Sequence, residues 1–126
     1  MAKILIIDDD SQVLGLMAAF LEKEHEIATA VNGKLGLRLL VSQQFDLIIT
    51  DVLMPERDGL EVLMWLNNQI PRPKVIAISG GSISQDQDIL LLMCKKLKAD
   101  KVLAKPVDFK TMTSAVRELL ENRAAD

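Results

Sequence analysis

Apolar positions follow two different rhythms along this chain. Ile4-Leu5-Ile6-Ile7, Leu47-Ile48-Ile49 and Val75-Ile76-Ala77-Ile78 are unbroken apolar runs of strand length. Such runs are expected of parallel strands covered on both faces, because neither face meets water. Between them lie longer amphipathic stretches. The alternation predicts strands β1 (3–7), β2 (26–31), β3 (46–50), β4 (74–78) and β5 (101–104), and helices α1 (11–24), α2 (34–43), α3 (60–69), α4 (85–98) and α5 (108–122). Asn32-Gly33 marks the turn after β2, the loop 51–59 holds Met54-Pro55 and Asp58-Gly59, and Pro71 and Pro73 close α3. Five βα repeats in sequence predict one α/β domain with a doubly wound, parallel five-stranded sheet.

Two helices carry more apolar surface than one buried stripe needs. On α3, Leu60, Val62, Leu63 and Leu66 suit the core, which leaves Met64 and Trp65 together on the opposite face as an exposed patch. On α4, Leu90, Met93, Cys94 and Leu97 form one stripe, and Ile89, Leu91 and Leu92 exceed it. The surplus fits either a wide core stripe or a face covered by a partner.

With the strands in the flavodoxin-like (βα)5 order 2-1-3-4-5, all strand ends meet at one sheet edge, and the switch point falls between β1 and β3. Asp8-Asp9-Asp10 follow β1, Asp51 follows β3, Ser79-Gly80-Gly81 follow β4 and Lys105-Pro106 follow β5. Clustered aspartates need a cation to offset their repulsion, and hard oxygens of this kind suit Mg²⁺. A lysine and a hydroxyl beside them suit a phosphoryl group, so the edge reads as Mg²⁺-assisted phosphoryl transfer onto a carboxylate. The triplet taken alone is equally a solvated turn in which Asp10 or Ser11 caps α1; Asp51 and Lys105 are what bring Asp8 and Asp9 into a site. His25, between Glu24 and Glu26, reads as a solvated turn residue.

Composition bounds the rest. A chain of 126 residues that is 49% hydrophobic and 26% charged is one ordinary globular domain. A net charge of −3 argues against direct nucleic-acid binding, which leaves a basic stripe. Cys94 is the only cysteine, so there is no internal disulfide and no thiolate metal cage. No apolar run approaches the roughly 20 residues of a membrane span, and a cytoplasmic protein is expected.

The four motifs, in this order and at strand ends, resemble those of a response-regulator receiver domain of two-component signalling, of the chemotaxis-regulator kind, over residues 3–120. The resemblance implies a role for each position. Asp51 is the phosphoacceptor. Asp8, Asp9, Asp51 and the backbone carbonyl of Leu53 hold Mg²⁺. Lys105 pairs with Asp51 and then with the phosphoryl oxygens, aimed by a cis peptide bond to Pro106. Ser79 bonds the phosphoryl group. The partners implied are a histidine kinase or histidine phosphotransfer protein, and an output partner or a second copy on the α4-β5-α5 face. The chain departs from the family where Val102 stands in place of a β5 aromatic, Val107 in place of a phenylalanine after Lys-Pro, and Leu53 in place of a polar residue. The resemblance then implies either a weaker switch or one that runs through backbone movement of 79–84 alone.

The domain is expected to fill residues 1–126 without an output domain, and to act as a phospho-accepting signalling module rather than a turnover enzyme. Two other readings stand beside it. A haloacid-dehalogenase-type aspartyl phosphatase also uses Mg²⁺, with Asp8 and Asp10 in its two-residue spacing. A pseudo-receiver would bind without switching. Neither the kinase nor the target is written in the residues.

Overall fold

The computed structural model describes residues 1–52, 58–79 and 98–123. Its strands are β1 (Lys3–Ile7), β2 (Glu26–Ala30), β3 (Leu47–Asp51), β4 (Lys74–Ser79) and β5 (Lys101–Ala104), all paired in parallel in the order β2-β1-β3-β4-β5. The doubly wound order predicted from the alternation is the order found. Four described helices cover the sheet: α1 (Ser11–Leu21), α2 (Gly33–Ser42), α3 (Asp58–Leu66) and α5 (Phe109–Arg123). The predicted α4 (85–98), with Ile89, Leu91, Leu92 and Cys94, lies outside the described residues except for Lys98, which sits in a turn with a φ of 62°.

Side chains alternate across the sheet and sort the core into two layers. Leu5, Ile7, Ile48, Val75 and Ala77 pack with Leu40, Val62, Leu63 and Leu66 under α2 and α3. Ile4, Ile6, Leu47, Ile49, Ile76 and Ile78 pack with Leu14, Met17, Met112 and Val116 under α1 and α5. The unbroken apolar runs are therefore explained: every residue faces one layer or the other. Val102 is half-buried against the first layer. Gly36 lets α2 lie close on β1, since a Cβ there would stand 2.9 Å from Cγ1 of Ile7 and nearer still to its Cδ1.

Helix ends differ from the predicted bounds for local reasons. Helix α1 stops at Leu21, whose carbonyl accepts the N–H groups of Glu24 and His25 at 3.1 and 3.0 Å and turns the chain into β2. Helix α3 begins at Asp58 and ends at Leu66, where Asn68 and Gln69 bond back three residues to Trp65 and Leu66 and tighten the last turn. Two expectations are corrected. His25 is half-buried, and its Nδ1 accepts the backbone N–H of Ala2 at 3.2 Å. Met64 is exposed as expected, but Trp65 leans onto the core layer under α2 and α3.

Candidate functional site

The upper sheet edge gathers side chains that the chain keeps far apart. Asp8 is the residue after β1, and its N–H reaches Ala30 at 3.1 Å, so pairing with β2 continues one step past the strand. That pins the backbone and leaves the carboxylate pointing along the strand end, fully buried. Its Oδ1 accepts the backbone N–H of Asp10 at 2.8 Å. Asp10 caps α1 instead of joining the site: its Oδ1 accepts from Gln12 and Val13 at 3.0 and 3.3 Å. Asp9, between them, is exposed.

Asp51 is the last residue of β3 and is buried opposite Ile78 of β4. The Val52 N–H donates to the Ile78 carbonyl at 2.9 Å, and the buried Thr50 hydroxyl donates to the Asp51 carbonyl at 3.1 Å. Both bonds fix the main chain where the carboxylate departs. Lys105 follows β5 and precedes a cis peptide bond to Pro106, as the resemblance implied. Its Nζ stands 2.7 Å from Oδ2 of Asp51, and 3.3 and 3.2 Å from Oδ1 and Oδ2 of Asp8. Oδ2 of Asp8 is buried and accepts no hydrogen bond among the described residues. Carboxylate oxygens of Asp8, Asp9 and Asp51 lie within 4.8 Å of one another.

Among the described residues, three carboxylates cluster beside the Lys105 ammonium, so negative charge is in excess there. A small divalent cation with a preference for oxygen matches that excess of negative charge. Burial by itself pulls the Lys105 ammonium down. The hydrogen bond and charge of Asp51, followed by those of Asp8, overcome it and hold the pKa above the ordinary lysine value.

Of the residues predicted for the site, Asp8, Asp9, Asp51 and Lys105 are brought together. Ser79 ends β4 and pairs with Ala104, which sets its backbone at the same edge. Leu53 lies outside the described residues. Sequence reasoning did not single out Thr50 or the Asp10 N–H as supports. A hydroxyl residue at the end of an otherwise apolar strand was the available signal for Thr50.

A family model described as the response regulator receiver domain matches residues 4–117. The probable C4-dicarboxylate response regulator DctR of Bacillus subtilis is 32% identical over 92% of this chain and 51% of its own length. The chain spans about half the length of the curated relatives it matches. A CheY-like receiver domain from Methanospirillum hungatei superposes with a TM-score of 0.87 at 25% identity, covering 99% of this chain and 98% of that one. The response regulator TrrA of Thermotoga maritima, solved in complex with Mg(2+)-BeF, superposes with a TM-score of 0.79 at 30% identity over 95% of this chain and 100% of that one. No helix among the described residues is long and apolar enough to cross a membrane. Strand order, strand-end chemistry and these likenesses converge: the chain belongs to the response regulator receiver domain family of two-component systems.

Proposed function

We propose that this receiver accepts a phosphoryl group on Asp51 from a phosphohistidine of a histidine kinase or histidine phosphotransfer protein. The observation that carries the reading is the buried Asp51 carboxylate, 2.7 Å from the Lys105 ammonium and beside the Asp8 and Asp9 oxygens. A carboxylate oxygen of Asp51 attacks phosphorus, the phosphorus–nitrogen bond breaks, and the electron pair leaves with the donor imidazole. The product is an acyl phosphate that water can later hydrolyse. Such a transfer rests on positioning and charge neutralisation more than on covalent work by the protein.

Asp8, Asp9, Asp51 and the Leu53 carbonyl would hold Mg²⁺, which when bound neutralises phosphoryl oxygens. The Mg(2+)-BeF complex of TrrA supports that choice of cation. Lys105, already in the site, supplies a second positive charge for the oxygens of the transferred group. Ser79 follows in chain order as the hydroxyl that bonds them. The domain fills residues 1–126 and assists only its own phosphorylation and dephosphorylation. Its output passes to a partner, or to a second copy, over the α4-β5-α5 face.

The phosphatase alternative needs Asp10 as a free acid two residues after Asp8. The Asp10 carboxylate instead caps α1, which disfavours it. Retention of the Asp8, Asp9 and Asp51 cluster, with Lys105 paired to Asp8 and Asp51, likewise disfavours a pseudo-receiver. Incubation with a small phosphodonor and Mg²⁺ tests the proposal by intact mass. The parent should gain one phosphoryl group and Asp51→Asn none; equal labelling of both proteins would refute it.

A further inference from the structure

Among the described residues, three polar side chains are sealed from water: Asp8, Thr50 and Asp51. The two aspartates belong to the acidic cluster, whereas Thr50 has no part in the transfer proposed above. Its surroundings are unusual for a hydroxyl. Thr50 lies in register between Ile7 of β1 and Ala77 of β4, and both belong to the apolar layer under α2 and α3. Ile48 and Val52, two positions before and after it, belong to the same layer. A valine has the same branched shape and no polar atom to take out of water. Packing alone therefore gives no reason for a threonine here.

The Thr50 hydroxyl donates to the Asp51 carbonyl at 3.1 Å, and the Val52 N–H donates to the Ile78 carbonyl at 2.9 Å. That Asp51 carbonyl and that Val52 N–H are the two ends of one planar peptide unit, whose plane also contains the Asp51 Cα. The unit is held from two sides, by its own strand and by β4. We infer that Thr50 is a positioning residue, whose hydroxyl clamps the peptide after Asp51 so that the Asp51 carboxylate is aligned for attack on phosphorus. The inference rests on Asp51 being the phosphoacceptor. The Asp51 carboxylate stands 2.7 Å from the Lys105 ammonium, while the Asp8 and Asp9 carboxylates beside it repel it. That repulsion pushes on the main chain that carries the group. A peptide unit held at its carbonyl as well as its N–H resists the push. A misplacement of about 1 Å at a reacting centre costs about 10²-fold in rate. Thr50 thus acts through Asp51 and not on the phosphoryl group itself.

Two substitutions in the full chain separate positioning from packing. Thr50→Val keeps the shape and removes the donor; Thr50→Ser keeps the donor and removes a buried methyl. Phosphorylation by acetyl phosphate at saturating Mg²⁺, followed by intact mass against time, gives the rates, and denaturant midpoints give the stabilities. Thr50→Ser should keep the parental rate to within about twofold, although it loses core packing, and Thr50→Val should be slower by about tenfold or more. Labelling of Thr50→Val at the parental rate, or Thr50→Ser slowed as much as Thr50→Val, would overturn the inference. The Asp51 carboxyl carbon signal in NMR needs no transfer. It should move in Thr50→Val and stay near the parental position in Thr50→Ser; a signal unmoved in both would also overturn it. A parent labelled on a residue other than Asp51 would instead strike the phosphoacceptor reading, and the carboxyl signal would then decide by itself whether Thr50 places Asp51.

Discussion

The two ends of the sheet use the same residue type to opposite purpose. At the lower edge, Asp46 accepts the Lys3 N–H at 2.8 Å, and Asp100 accepts the Val75 N–H at 2.7 Å while pairing with Arg72 at 3.1 Å. Arg72 also donates to Asn67 Oδ1 and to the Lys98 carbonyl. These carboxylates are engaged with the main chain and hold strand starts together. At the upper edge, Asp8 and Asp51 are buried facing each other and one lysine, with Asp9 alongside. A carboxylate that satisfies backbone donors serves the fold. Carboxylates that crowd one another need something from outside, and that need is the physical mark of a site.

The contrast can be broken residue by residue. Asp9→Ala should weaken Mg²⁺ binding by about tenfold or more, since it removes a charged oxygen from the hard-ion cluster, and leave thermal stability near that of the parent; titration calorimetry reads both partners of the comparison. Asp100→Ala should do the reverse. It leaves the Val75 N–H without its acceptor and removes one partner of the Arg72 guanidinium, which costs about 1–3 kcal/mol, while Mg²⁺ affinity holds; a denaturant midpoint measures it. Asp10→Ala, next to the site but engaged as a cap, should cost about 1 kcal/mol in the same assay and spare Mg²⁺ binding.

The smallest effect concerns pH. The Lys105 pKa is raised in the folded chain, so its ion pairs contribute fully below the ordinary lysine value of 10.5 and are lost as pH climbs through the raised one. The stability difference between the parent and Lys105→Met should stay flat from about pH 6 to 9 and narrow only above the ordinary lysine range. A difference that already shrinks near neutrality would contradict the arrangement of Lys105 with Asp51 and Asp8.

Much of the upper edge was legible in the chain because it is written at strand ends. Once the apolar runs fix the strands, the residues after them are fixed as neighbours, and Asp8, Asp51 and Lys105 meet although up to 97 positions separate them. The lower edge was less legible. Asp46 and Asp100 each stand directly before a strand, which is the signal that was there to read. Arg72 and Asp100 are 28 residues apart and meet only through the turn that leads into β4. Helix ends were misread where i→i+3 bonds tighten a final turn, as after Leu66. The exposed Met64 was readable from helical spacing; the inward lean of Trp65 depends on the α2 neighbour and was not.

The central claim is that the Asp51 carboxylate carries the phosphoryl group. An acyl phosphate is reduced by borohydride to an alcohol, so a phosphorylated aspartate becomes homoserine while a free one does not. Phosphorylating the parent with a small donor and Mg²⁺, reducing it, and mapping the peptides by mass places the group directly. Homoserine at position 51 and nowhere else is the predicted result. Homoserine at position 8 or 9 with Asp51 intact, or none at any position after phosphoryl uptake, would contradict it.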